Sequence, residues 1–266
     1  MNQKIEIFIL THKKFDEQYD SNLYKPLLNG SCMLDDDYGY IRDDSGENIS
    51  NLNKYFAEFT GQFWAWKNSD ADIIGFCHYR RWFVRNLKFD KLTKKDIIND
   101  LSKFDIILPQ KRRLNGTVSE VIQDSLKINP DYGVKYEDYL ILGETIKEDF
   151  PEYYTSFQKV MNSKSAYYNT MFISNKKLAD NYFKWLFDIF KKVFDKIDLS
   201  KYPKNNKRVF GFFGEILLNV YVLNNNLKIK EHYILFNDRK FPVFDVLCRR
   251  FPKLVSVETR LVSLLS

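Results

Sequence analysis

The sequence predicts an α/β fold, a mixed and mainly parallel sheet flanked by helices, and three observations carry that expectation. Largely apolar runs at 5–10, 73–77 and 104–109 read as strands, and the second, bounded by polar turns and apolar on both faces, suits the middle of a covered sheet. Segments between them place apolar residues three and four apart, the period of an amphipathic helix. Two of the strands end abruptly in cations: His78-Tyr79-Arg80-Arg81 after the second and Lys111-Arg112-Arg113 after the third. Open α/β sheets collect ligands outside the carboxyl ends of their strands, so charge gathered there marks a ligand edge.

In chain order, residues 5–10 form the first strand, with Thr11 and His12 opening the loop at its carboxyl end. Residues 21–49 are rich in Asn, Gly, Asp and Tyr and lose periodicity, so they read as a long loop of the kind that often serves as a lid. Its triplet Asp35-Asp36-Asp37 offers oxygen ligands to a hard cation or, more plainly, forms solvated turns. Leu52, Tyr55, Phe56, Phe59, Phe63 and Trp66 then recur at helical spacing, with Ser50 or Asn51 as N-cap. The opposite face presents Glu58, Gln62 and Lys67, flanked by Thr60 and Trp64.

After the strand at 73–77 come a short helix at 94–102, the strand at 104–109, and helical stretches at 117–126 and 136–148. Residues 164–174 read as a strand bearing aromatics and Asn169, whose amide can both donate and accept a hydrogen bond. Residues 178–197 are amphipathic, with Tyr182, Trp185, Leu186, Ile189 and Phe190 as the core stripe. Gly211 and Gly214 permit close backbone approach before a helix whose first turn holds Glu215, where the helix dipole would lower its pKa. Residues 227–236 form the last strand. No linker or repeat divides residues 1–240, which read as one domain. Residues 241–266 form a basic amphipathic tail that packs on the domain or lies on an anionic bilayer.

Adjacent arginines at a strand end supply fixed charge and forked donors suited to a pyrophosphate. The alternative is that one pairs with a buried carboxylate and the other lies in solvent. The helix just upstream favours the first reading, because it delivers polar residues and two tryptophans to the same strand.

Blocks in this order resemble the signature of a bacterial glycosyltransferase family encoded in capsule, exopolysaccharide and rhamnose-glucan clusters. They are Asn48-Ile49-Ser50, Glu58-Phe59-Thr60-Gly61, Trp64-Ala65-Trp66-Lys67-Asn68, and Gly75-Phe76-Cys77-His78-Tyr79-Arg80-Arg81-Trp82-Phe83. A Tyr168-Asn169-Thr170-Met171-Phe172 block and the stretch from Arg208 to Tyr221 continue the likeness, whereas Gln123 falls in a helix where the family often has His. The resemblance implies a GT-A-like, Rossmann-type fold. It implies transfer of a hexose, with galactofuranose, galactose and glucose as candidates, from a UDP-sugar to a saccharide or lipid-diphosphate-linked acceptor.

On that reading Thr11 and His12 meet the base or ribose, and Glu58, Thr60, Trp64, Lys67, Tyr79 and Asn169 complete the donor site. Arg80 and Arg81 stabilise the leaving diphosphate, His78 contacts phosphate or sugar, and Glu215 is the leading acceptor-side base, ahead of Glu58. The plainer reading of both acids is a cap or an ion-pair partner. Many such enzymes hold a divalent metal with Asp-X-Asp at a strand's carboxyl end. Asp70-Ala71-Asp72 precedes its strand instead, so metal-free chemistry is favoured and Mn²⁺ or Mg²⁺ stays open. The competing class is a non-catalytic nucleotide- or carbohydrate-binding module on the same fold.

Composition narrows the partners. A net charge of +6 and a pI near 8.9 suit anionic ligands or an anionic membrane face. No zinc spacing, RNP motif or helix-turn-helix cue supports nucleic acid. Three cysteines lack disulfide or metal spacing, and the chain shows neither an h-region nor a membrane-length apolar run. The expected setting is cytoplasmic, with peripheral contact at most on the inner face of the plasma membrane.

Overall fold

The structure, a computed structural model, describes residues 3–86, 88–129, 133–202 and 207–237. Strand β1 (Ile5–Thr11) is buried along its length except at Glu6 and pairs in parallel with β2 (Tyr24–Leu28) and β4 (Ile73–His78). A two-residue strand, β3 (Ile41–Arg42), extends β2. The region 21–49 is therefore not a loop throughout. Leu23, Tyr24, Leu27 and Leu28 are buried, and Lys25-Pro26 disguises their pattern. Pro26 is tolerated because β3 pairs only with Leu27 and Leu28, leaving no ladder for a Pro26 N–H on that side.

Beyond β4 the order departs from a simple parallel sheet. Its N-terminal part pairs antiparallel with β9 (Phe172–Asn175), which pairs antiparallel with β6 (Ile106–Pro109). β6 runs parallel to β10 (Ile229–Phe236), and β10 pairs antiparallel with β5 (Arg81–Val84). β5 returns to β4 through the single pair His78–Arg81, so β4, β9, β6, β10 and β5 close a ring. Four of the eight ladders are parallel, which corrects the expected mainly parallel sheet to an evenly mixed one. The cause is local: a two-residue turn after His78 can only make an antiparallel neighbour. A separate ribbon pairs β7 (Arg112–Arg113) with β8 (Ser165–Ala166).

Period-two alternation divides the sheet's side chains between two cores. Phe8, Leu10, Ile74 and Phe76 face one, together with the helices α2 (Phe59–Asn68), α7 (Lys176–Phe194) and α8 (Val209–Asn224). Ile7, Ile9, Ile73, Cys77 and Trp82 face the other, with Ile97 of α3 (Lys94–Leu101). Full burial of each such side chain contributes about 1.5–3 kcal/mol before entropy is counted. Helices α4 (Val118–Ile128), α5 (Tyr136–Asp149) and α6 (Pro151–Met161) complete the first layer. The sequence reading missed α6, whose start is signalled by Pro151 at its first position.

Two helix expectations change. The stretch from 51 to 68 is broken into α1 (Asn53–Phe56) and α2 by Ala57, whose φ of 51° and ψ of −128° are not helical. Neither Ser50 nor Asn51 caps it; Ser50 is buried and its hydroxyl donates to Asp43 Oδ1 at 2.5 Å. Helix α8 starts at Val209, so Gly211 and Gly214 lie inside it and Glu215 is a full turn deeper than expected. Gly214 is needed there because a Cβ would meet Phe59 Cζ at 1.9 Å. No helix among the described residues is long and apolar enough to cross a membrane. The tail at 241–266 lies outside the described residues.

Candidate active site

The strand directions bring the carboxyl ends of β1, β2, β4, β6 and β10 to one edge, with the amino ends of β5 and β9 between them. A cleft of about 390 Å³ opens at this edge. Thr11 and His12 from the end of β1, Asn29 from the end of β2, and His78 and Arg80 from the end of β4 form one wall. Glu58, at the break before α2, faces Lys207 and Arg208 at the start of α8.

Several of these side chains have identifiable partners. His78 Nδ1 accepts the backbone N–H of Arg80 at 3.4 Å, which leaves Nε2 as the proton-bearing nitrogen of the neutral ring. Burial, then the charges of Arg81 and Arg80, push its pKa down to about 3, so His78 is neutral at physiological pH. His12 is shifted down for the same reason, with Lys13 and Arg80 adding to it. The turn Tyr79-Arg80 splits the arginine pair. Arg80 lines the cleft, whereas Arg81 leads β5 with its guanidinium carbon 5.4 Å from the Phe236 ring.

Two carboxylates approach each other across the Asn169-Thr170 turn. Thr170 Oγ1 donates to Glu58 Oε1 at 3.0 Å, and the Asn169 backbone N–H donates to Glu215 Oε1 at 3.0 Å. Gln62 Nε2 anchors the turn by donating to the Thr170 carbonyl at 3.0 Å. Asn169 and Thr170 sit at φ 79° and 52°, so two consecutive non-glycine residues occupy the left-handed region. With Ala57, three such residues surround the carboxylates. Backbone strain of this kind persists where surrounding contacts over-determine it, and it gathers at functional sites.

Glu215 is the perturbed acid. Burial raises its pKa to about 7 and the Glu58 charge adds to that, while the Asn169 N–H, Arg81 and Arg208 pull the other way. The expectation that the helix dipole lowers it is overturned, because the residue lies inside α8 in a desolvated position rather than at an exposed first turn. Glu58 instead meets Arg208 Nη2 at 3.5 Å. The field of Arg208 reaches His12, His78 and Glu215, tying both carboxylates to the histidine wall.

Several sequence candidates lie elsewhere. Thr60 is fully buried and donates to the Ala57 carbonyl, with Asn53 Nδ2 2.9 Å from its oxygen, so it shapes the turn without facing the cleft. Trp64 Nε1 donates to the Ser45 carbonyl at 2.9 Å. Lys67 pairs with Glu47 at 3.0 Å at the far end of α2, against a different, apolar groove. Tyr79 is buried beneath the histidines, 4.5 Å from the His78 ring. Thr11 lines the cleft, but its hydroxyl donates to the Lys13 carbonyl at 2.6 Å. Asn29, Lys54, Lys207 and Arg208 were not foreseen. Asn29 lies in the misread loop, and Arg208 opened a recognised block without drawing notice.

Metal ligands are sparse. Asp36 and Asp37 accept the backbone N–H groups of Tyr38 and Gly39 as turn formers, and Asp70 and Asp72 bind Lys4 at the opposite edge of the sheet. Among the described residues, no group of three or more His, Cys, Asp or Glu side chains could hold a metal ion.

Comparison with known proteins adds to the geometry. A family model described as a domain of unknown function, DUF4422, matches residues 6–226. A solved structure described as the apo form of the WbbM bifunctional glycosyltransferase is similar, with a TM-score of 0.75 and 28% sequence identity. The match covers 89% of this chain and 46% of that one, so the chain spans about half the length of that relative. No curated protein matches.

Proposed function

The chain belongs to the DUF4422 family, and from that premise we propose that it is a glycosyltransferase with a GT-A-like fold. Its proposed donor is a nucleotide diphosphate sugar, with UDP as the carrier. The proposed acceptor is a growing cell-surface polysaccharide or a lipid-linked oligosaccharide. The observation that carries the reading is a strand-end cleft lined by Arg80, Arg208, Lys54 and Lys207, whose Glu58 couples to Glu215, a carboxyl raised by burial to about 7. The likeness to a glycosyltransferase structure supports it.

The diphosphate lies against the cations, which suits guanidinium forks and helix α8's N-terminus. The neutral His78 donates from Nε2 to a phosphate or sugar oxygen. In a direct displacement the acceptor oxygen forms a bond to the anomeric carbon. The bond from that carbon to the diphosphate breaks, and its electron pair leaves with the nucleotide. Glu215, ionised above about pH 7, takes the hydroxyl proton. Arg80 and Arg208 meet the charge that develops on the leaving group. No step in this scheme passes through a metal.

Slow hydrolysis of a UDP-sugar in the absence of acceptor tests the reading. UDP release that disappears in Arg80→Ala is expected. A protein that binds UDP but never releases it from any UDP-hexose, with or without saccharide acceptors, is a binding module instead.

A further inference from the structure

A second hollow, of about 420 Å³, opens where the β7–β8 ribbon meets the end of α6 and the second half of α8. Lys111, Lys159, Tyr167 and Asn219 are among the residues that line it. Cations crowd its rim. Lys111, Arg112, Arg113, Lys159 and Lys164 are all exposed, and none forms an ion pair among the described residues. Two acids stand near these cations: Glu231 accepts the Tyr167 hydroxyl at 2.8 Å, and Glu120, which feels Lys164, accepts the Thr117 N–H as part of the α4 capping box. Five cations beside two acids leave an excess of positive charge, which repels itself and favours a bound anion.

This cationic wall adjoins Glu215. Lys111 Nζ stands 4.7 Å from the Tyr167 ring centre, and the Arg112 guanidinium carbon stands 6.0 Å from that of Tyr168. The Tyr168 hydroxyl feels both Glu215 and Arg112, so it lies within reach of each charge. Asn219 Nδ2 donates to the Tyr167 and Glu215 carbonyls at 2.8 and 2.7 Å, and its Oδ1 accepts the Tyr167 N–H. Tyr167 and Asn219 line the hollow, and the Asn219 bond to the Glu215 carbonyl joins it to the turn of α8 that carries Glu215. β6 delivers Lys111 to the same sheet edge as His78, because β6 and β4 run in the same direction on either side of β9.

We infer that the β7–β8 ribbon and the hollow beside it bind an anionic group of the acceptor, a phosphate or a carboxylate, while the acceptor's hydroxyl lies at Glu215. The assignment rests on the glycosyl-transfer reading. Its chemistry is that of a diphosphate carried by a lipid-linked acceptor or of a uronic acid within a polysaccharide. A flexible ammonium and a forked guanidinium on neighbouring residues accommodate either group.

The test uses the whole chain and three short probes: an alkyl diphosphate, an alkyl glucuronide and the neutral alkyl glucoside. Binding is measured by calorimetry for the wild type, for Lys111→Gln/Arg112→Gln, and for Lys177→Gln/Lys184→Gln, which removes equal charge from helix α7. UDP binding is measured in parallel. At least one anionic probe should bind, and the first double variant should weaken it by about tenfold or more while leaving UDP binding unchanged. Whichever anionic probe binds more tightly identifies the source. Equal binding of anionic and neutral probes, no loss in the first variant, or an equal loss in the α7 variant overturns the site. If UDP fails to bind anywhere while the anionic probe still depends on Lys111 and Arg112, the anion site stands and the transferase reading falls.

Discussion

At the scale of single residues, Glu215 and Arg80 carry the most specific expectations. Glu215→Gln keeps the shape and removes the base, so transfer should fall by about a hundredfold or more with UDP affinity unchanged. Wild-type transfer should rise with pH through about 7 as the carboxylate forms. The same shift has a consequence for stability. The folded pKa lies above the ordinary value of 4.5, so the native state holds a proton that the unfolded chain has lost. The stability Glu215 contributes is fully present below about pH 4.5 and is lost as pH rises through about 7. Glu215→Gln should therefore gain on wild type between pH 5 and pH 8, by at most roughly 2–3 kcal/mol. Denaturant titrations at the two pH values measure this, and a constant difference would place the perturbed acid elsewhere. For Arg80→Lys the charge survives and the fork does not, so a loss of transfer on the order of a hundredfold is expected. A variant within twofold of wild type would remove Arg80 from the leaving-group site.

At the scale of elements, the site is a product of two turns that period counting does not see. Apolar spacing from Leu52 to Trp66 supports one continuous helix, yet the chain breaks at Ala57 and turns Glu58 toward the cleft. The break is held by Asn53 and Thr60, both bonded to the Ala57 carbonyl, and such local polar bonds compete with the helix ladder without altering its hydrophobic pattern. Strands β1, β4 and β6 were legible because continuous apolar runs identify them directly. β2 was hidden by Lys25-Pro26, and β5 by the expectation that the chain ends its strand at His78. The charge at this strand end was legible in Arg80, whereas the neutrality of His78, a consequence of burial beside two arginines, was not. The depth of Glu215 was not legible either, because the two glycines read as preceding the helix, when in fact both lie inside α8 and Gly214 lets it lie against the Phe59 ring. That packing makes a prediction. Gly214→Ala should destabilise the fold by about 1–3 kcal/mol, since an added methyl must displace a buried ring. Thermal melts check it, and an unchanged midpoint would mean that α8 and α2 are less closely packed.

At the scale of the whole molecule, the strand-end cleft should report its ligand through stability. Anything that binds only the native state stabilises it by mass action, by about 2.7 kcal/mol at a hundred times its dissociation constant. For a chain of 266 residues that corresponds to a rise in melting temperature of roughly 5 °C. UDP and UDP-sugars should produce such a shift, and uridine, which lacks the diphosphate, should produce much less. The difference isolates the contribution of Arg80, Arg208, Lys54 and Lys207, whose charges have no partner in a nucleoside. High salt should shrink it, because part of the cleft is open to solvent and screening weakens exposed charge interactions. The same measurement with EDTA separates two ways of neutralising a diphosphate. If guanidinium and ammonium groups neutralise it, EDTA leaves both the UDP shift and the transfer rate largely intact. If EDTA abolishes them and Mn²⁺ restores them, a cation must bridge the phosphates to the protein. Glu58 would then be the first ligand to test, because it is the only carboxylate among the described residues that line the cleft.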